Sequence, residues 1–219
     1  MRSHGPASKT RPRPVSHRLN AKLQSVRAEL LEMAAGDLRV REELARSGEL
    51  FEGYHPRMRE VHERNAARLR ELIESHGWPT GVLVGEDGAN AAWLILQHAI
   101  GDPALQRRGL VLMQEAEAEV SRAHIAMLED RIRVNEGKGQ RYGTQFDWDR
   151  NGLLSPLPIE DADGVDRRRD VVGLPPLAED IERMRDMSTR NGERAPADWD
   201  ARQSQIREWR RSTGWLDGD

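Results

Sequence analysis

Apolar residues that recur every three or four positions, segment after segment, constrain this chain more than any other feature. Leu19, Leu23, Val26, Leu30 and Met33 stack on one helical face and predict a helix from Leu19 to about Ala35. Gly36-Asp37 reads as a break or loosening, after which Leu38, Arg41 and Leu44 carry a short helical continuation to Gly48. A second helix is expected from Pro56, a residue suited to a first turn, to Ser75, with Gly77 as its C-terminal cap. Its inward residues are Met58, Val61, Leu69, Leu72 and Ile73. The Gly-rich stretch Gly77 to Gly88 reads as an ordered loop with a very short extended piece at Val82 to Val84. Ala89 to Ile100 is apolar all round, the mark of a helix buried on most sides. Asp102-Pro103 then opens a long helix predicted to reach about Asn135, with an inward stripe of Leu105, Leu112, Ala116, Val120, Ala123, Met127 and Val134.

Beyond Gly139 the period changes. Tyr142 to Trp148 and Leu153 to Ile159 flank the turn signal Asp149-Arg150-Asn151-Gly152 and predict a small β-hairpin. Short amphipathic helices are expected at Val165 to Val172 and Leu177 to Met187, and Trp199, Ile206 and Trp209 sit at the spacing of one final docked helix. The pattern predicts a mainly α fold, bundle-like, with a hairpin at about residues 140–159. It organises as one domain over residues 19–187, between a disordered basic arm (1–18) and a polar tail (188–219).

Several function classes are set aside. The longest apolar run, Ala91 to Ile100, falls well short of the ~20 residues a spanning helix needs, so no membrane partner is expected. Cysteine is absent, which removes disulfides, thiolate nucleophiles and sulfur-held metals and points to the cytoplasm. A net charge of -3 argues against a dedicated nucleic-acid binder, which needs a clustered basic face, although the N-terminal arm carries five Arg or Lys and no acid. There is no P-loop, strand-borne GxGxxG, HExxH or GxSxG. No two histidines stand four apart, and the one Glu-x-x-His, Glu52 to His55, lies in a Gly- and Pro-flanked loop, so no metal and no cofactor are expected.

A buried polar group without a partner costs roughly 1–3 kcal/mol, which makes polar residues at core positions informative. His62 and Asn65 fall on the apolar stripe of the Pro56 helix. Gln97-His98 closes a helix with almost no polar face. Asp130 comes three after Met127 and four before Val134, with Arg131 beside it. Gln140, Tyr142, Thr144 and Gln145 then bring four hydrogen-bonding groups around Gly143. The leading expectation is that these segments converge on one pocket for a small polar metabolite. His98 is its base or hydrogen-bonding centre, with Asp130 and Tyr142 as the other catalytic candidates, Asp130 orienting His98 or binding a cationic group. Arg131 receives an anion, while Gln97, Gln140, Thr144, Gln145, His62 and Asn65 contact the ligand.

The competing expectation is a structural or interaction module, in which the same residues form a satisfied hydrogen-bond network and Trp199, Trp209 and Trp215 help make a partner surface. His62 and Asn65 are as readily explained by bonds to neighbouring backbone, and Asp130 by a pair with Arg131. Asp37 and Arg41, four apart, read as a surface ion pair of little energy and are kept only as outer candidates. Enzymatic status and oligomeric state stay open.

The stretches Gly77 to Pro79, Ala91 to Ala99, Leu128 to Ile132 and Gln140 to Phe146, continued by Ser155 to Asp161 and Val165 to Leu177, carry a resemblance. Together they resemble an uncharacterised bacterial family, catalogued as domain of unknown function 6624, through the Gln-His, Asp-Arg-Ile and Gln-x-Tyr-Gly-Thr-Gln segments. The likeness covers roughly Leu19 to Ile181. It implies a shared fold and transfers no reaction, substrate or catalytic assignment.

Overall fold

The computed structural model describes residues 15–51 and 53–216, with side chains from Ala21 onward except at position 51. The fold is mainly α, about 70% helical, with eight α-helices and one two-stranded antiparallel sheet among these residues. Residues 1–14 of the expected basic arm lie outside the described residues, and residues 15–18 already belong to the first helix.

Helix α1 (Val15–Ser47) runs without interruption through Gly36. A glycine inside a helix costs only about 1 kcal/mol relative to alanine. Burial of Leu30 and Leu44 on either side of it offsets that cost and removes the expected break. Helix α2 (Pro56–His76) has the expected span. His55 Nδ1 accepts from Arg57 N at 3.2 Å at its start, and Gly77, at φ 75°, ends it.

Helix α3 (Gly81–His98) takes in most of the stretch expected as a loop, with a kink at Gly85 (φ 76°, ψ 158°). Gly88 serves close packing rather than looping: a Cβ there would stand 3.2 Å from Arg27 Cγ of α1. Beside that contact Arg27 clamps Asp87 with Nε–Oδ1 at 2.8 Å and Nη2–Oδ2 at 2.5 Å.

The long helix expected from Pro103 to Asn135 is two. Asp102 Oδ1 accepts from Leu105 N at 3.0 Å to cap α4 (Pro103–Glu115), and after a single 3-10 turn Ser121 caps α5 (Arg122–Asn135). The interruption resets the helical phase. Met113, Ala126, Leu128 and Ile132 are therefore buried, whereas Leu112, Ala123, Met127 and Val134 of the expected stripe are only half-buried. The core joins Leu30 of α1, Leu69 and Leu72 of α2, and Ala92, Ile95 and Leu96 of α3 to Met113 and Leu128.

The hairpin is shorter than expected: β1 (Phe146–Trp148) pairs with β2 (Leu154–Pro156), Phe146 opposite Pro156 and Trp148 opposite Leu154. Residues 142–145 are loop, and Gln140 makes an isolated parallel bridge to Ile159. Helices α6 (Val165–Val171), α7 (Leu177–Arg190) and α8 (Trp199–Ser212) follow. Trp199 Nε1 donates to Trp148 O at 2.7 Å, and Trp215 is 3% exposed with its Nε1 donating to Ile100 O at 2.7 Å. The tryptophans considered for a partner surface thus dock α8 on its own chain. Among the described residues no helix is long and apolar enough to cross a membrane.

Candidate functional site

Three helices bring Asp37, His62 and His98 together. Asp37 of α1 stands seven residues from Leu30 and seven from Leu44, on the same buried face, and is itself 0% exposed. His98, the last residue of α3, places Nδ1 3.1 Å from Asp37 Oδ1 and 3.0 Å from Oδ2. His62 of α2 places Nε2 3.3 Å from Asp37 Oδ2 at an angle that misses a hydrogen bond, which leaves that buried nitrogen without a hydrogen-bond partner among the described residues. The other His62 nitrogen, Nδ1, lies 2.8 Å from the Tyr54 hydroxyl, and the two rings stack at 5.6 Å. The two imidazoles stand 5.0 Å apart between centroids.

Burial by itself would raise the Asp37 carboxyl, but the two imidazoles beside it, that of His98 hydrogen-bonded, hold it well below the usual carboxylate range. Burial pushes the His98 imidazole below its ordinary value, outweighing the opposing pull of Asp37, and it pushes the Tyr54 phenol up.

His62 and His98 line a cavity of about 590 Å3 together with Tyr54, Arg41, Arg131 and Glu193, while Asp37 itself is enclosed. This cavity shares Leu50, Gly53, Tyr54, Ile100 and Glu193 with a neighbouring one of about 600 Å3 that reaches Arg202, Gln205 and Trp209 of α8. Arg131 has neither a hydrogen bond nor an ion pair among the described residues, and loss of water around its guanidinium lowers its pKa to about 10. A desolvated cation without a counter-ion is costly to hold, and a planar guanidinium fits carboxylate or phosphate oxygens two at a time.

A second buried cluster is built differently. Asp130 Oδ1 accepts from Arg141 N at 2.7 Å and Tyr142 N at 3.1 Å, and Oδ2 accepts from Thr144 N and Thr144 Oγ1, both at 3.0 Å. Gln140, 0% exposed, donates from Nε2 to Gln145 O at 3.0 Å and Leu157 O at 2.8 Å, and its Oε1 accepts from Gln145 N at 2.6 Å. The Gln145 side chain reaches Thr144 Oγ1 at 3.1 Å. Gly143 takes φ 68°, and a Cβ there would stand 2.8 Å from Ile159 Cδ1. Fully buried Arg169 ties the loop down with Nη1 to Tyr142 O at 2.6 Å, Nε to Pro175 O at 2.6 Å and Nη2 to Asp180 Oδ2 at 2.8 Å.

The residues expected to converge therefore divide. His62, His98 and Arg131 line the cavity, whereas Asp130, Gln140, Tyr142, Thr144 and Gln145 form the second cluster. The carboxylate that holds His98 is Asp37, not Asp130, and no hydrogen bond joins His98 to Asp130 or Tyr142 among the described residues. Asp130 is also not paired with Arg131, because its oxygens are taken by the 141–144 loop. Asn65 donates from Nδ2 to Met33 O at 3.3 Å, fastening α2 to α1. Gln97 is half-buried and outside the cavity lining. The surface pair expected of Asp37 and Arg41 does not form, since Asp37 is enclosed and Arg41 lies on the cavity wall.

Tyr54 is the residue that the sequence missed, and Asp37 was an outer candidate only, read as part of a surface ion pair. For Asp37 a signal existed: continuing the α1 helix through Gly36 places it midway between Leu30 and Leu44 at seven-residue steps. Tyr54, in the connection before α2, offered none.

No curated protein and no solved structure matches the chain. A family model does match, over residues 24–191, most of the described chain, and the protein therefore belongs to DUF6624, a family of unknown function.

Proposed function

We propose that the cavity lined by His62 and His98 binds a small anionic metabolite and acts on it, with Arg131 holding the anionic group. The observation that carries this reading is the Arg131 guanidinium, desolvated and without an acidic partner among the described residues, on the same cavity as two imidazoles set against a buried carboxylate. An anionic ligand would supply the missing counter-charge through charge-assisted hydrogen bonds. A volume of about 590 Å3 lies within the range that metabolite sites occupy. Nε2 of His98 has no protein partner among the described residues, so it is free to meet the reacting part of such a ligand.

The structural-network reading is favoured for the other cluster, where the Asp130 carboxylate and the Gln140 side chain have all their polar atoms bonded. The absence of cysteine supports a reducing compartment such as the cytoplasm.

A melting-temperature screen of small carboxylates and phosphates against neutral isosteres tests the reading. A ligand at 100 times its Kd stabilises by about 2.7 kcal/mol, so a hit is plainly visible. Anions are expected to raise the melting temperature of the wild-type chain and not of Arg131→Met. A library with no anionic hit, or hits retained by Arg131→Met, sinks the proposal.

A further inference from the structure

We infer that Asp37 Oδ2, His62 Nε2 and His98 Nδ1 are the protein ligands of a divalent transition-metal ion. The inference deepens the reading above by naming a cofactor for the same site, and it rests on that reading only for its location.

Two imidazoles and one carboxylate are the donor set that zinc, iron(II), manganese and their neighbours accept while keeping positions open for water or substrate. Here the three donors come from α1, α2 and α3, and one ligating atom from each lies within 4.8 Å of the others.

The spacing is informative beyond proximity. Atoms bound to one ion at about 2.0–2.2 Å stand roughly 3.0 Å apart at octahedral angles and roughly 3.4 Å apart at tetrahedral ones. Asp37 Oδ2 is 3.0 Å from His98 Nδ1 and 3.3 Å from His62 Nε2, the separations of two edges of such a polyhedron. Hydrogen bonding accounts for the first distance but not the second. His62 Nε2 is close to the carboxylate, buried, misaligned for donation and without any other hydrogen-bond partner. A shared ion gives its lone pair a use.

The surroundings fit the same assignment. A metal-bound imidazole is commonly held at its other nitrogen by a polar group that fixes the ring. The Tyr54 hydroxyl, 2.8 Å from His62 Nδ1, does this. Asp37 is held rigidly in the middle of a 33-residue helix. His62 and His98 line a cavity wide enough for water or an anion to complete the coordination shell, with the unpaired Arg131 on the same cavity. Such an ion supplies Lewis-acid activation of a bound ligand or water.

The test is a titration of the full chain, first stripped with a chelator, using zinc(II) by calorimetry and cobalt(II) by visible absorption. One ion per chain is expected, with cobalt d–d bands that respond to added anion. His62→Asn and Asp37→Asn should each weaken binding by about 100-fold or more, and Tyr54→Phe by about 10-fold. Circular dichroism and denaturation establish that each variant is folded, and Tyr54→Phe, which keeps all three ligands, covers the case in which a ligand variant does not fold. Arg131→Met, which removes a cation from the cavity and none of the three ligands, should bind the ion at least as tightly as the wild type.

Absence of stoichiometric binding by folded wild-type chain, or unchanged affinity in folded His62→Asn, overturns the inference. Anion binding that needs Arg131 but no metal would overturn it while sparing the metabolite reading. Metal binding with no anion dependent on Arg131 would do the reverse.

Discussion

Asp37 and Asp130 are both fully buried carboxylates on helices, and their surroundings could hardly differ more. Asp130 collects three backbone N–H groups and one hydroxyl from a single contiguous loop, 141–144. Among the described residues no backbone N–H donates to the Asp37 carboxylate; it meets two imidazoles from different helices, one of them misaligned. Backbone donors from one loop saturate a carboxylate and leave nothing for a ligand, so they fasten. Side chains assembled from distant helices leave ring nitrogens and a neighbouring guanidinium uncommitted, and they do so on a cavity. Polar burial alone does not distinguish a fastener from a site; the unspent hydrogen-bonding capacity does.

The largest expected effect lies on the fastening side. Asp130→Ala leaves several buried N–H groups without an acceptor and should destabilise the fold by about 3–5 kcal/mol in urea denaturation. A loss under about 1 kcal/mol would erase the contrast. Gln140→Ala removes three hydrogen bonds and should cost about 2–3 kcal/mol, with faster amide exchange at Gln145, whose N–H loses its acceptor. On the other side of the comparison the sign should change. Arg131→Met removes an unpaired, desolvated charge and should stabilise the ligand-free chain by about 1 kcal/mol, read as a higher denaturation midpoint.

The smallest effect concerns His124, which stacks on Trp93 at 3.8 Å and belongs to neither cluster. Burial lowers its pKa, so the unfolded chain takes up a proton at a pH where the folded chain does not. Its contribution is complete above the ordinary imidazole pKa of about 6.5 and is lost as pH falls from there through the lower folded value. His124→Phe keeps a ring on Trp93 and should flatten that part of the stability profile. An identical acid slope in the variant would exclude His124 as its source.

What could be read from the residues follows the range of the interactions. The start and end of α2, the Asp102 cap and the hairpin turn were legible because each depends on neighbours within a few positions. The start of α3 was not, because Gly85 and Gly88 read locally as loop while their role depends on α1 pressing against them. Ser121 carried a cap signal that the continuous stripe through residue 120 obscured. At the site, His62, His98 and Arg131 stood out as polar groups among apolar neighbours. Their relation to Asp37 did not, since His98 and Asp37 are 61 positions apart and the apparent break at Gly36 hid the phase of α1.

The position of α8 bears on where this protein can be divided. The family match ends at residue 191, whereas Trp209 meets Tyr54 edge-on at 6.4 Å, Arg202 and Gln205 line the neighbouring cavity, and Trp215 is enclosed beside Ile100. A boundary drawn from sequence likeness therefore passes through a packed interface. A chain ended at 191 is expected to lose one wall of the cleft and the aromatic support of Tyr54, and with it the restraint on His62. Family membership and the unit that holds the pocket together are, in this molecule, two different lengths of chain.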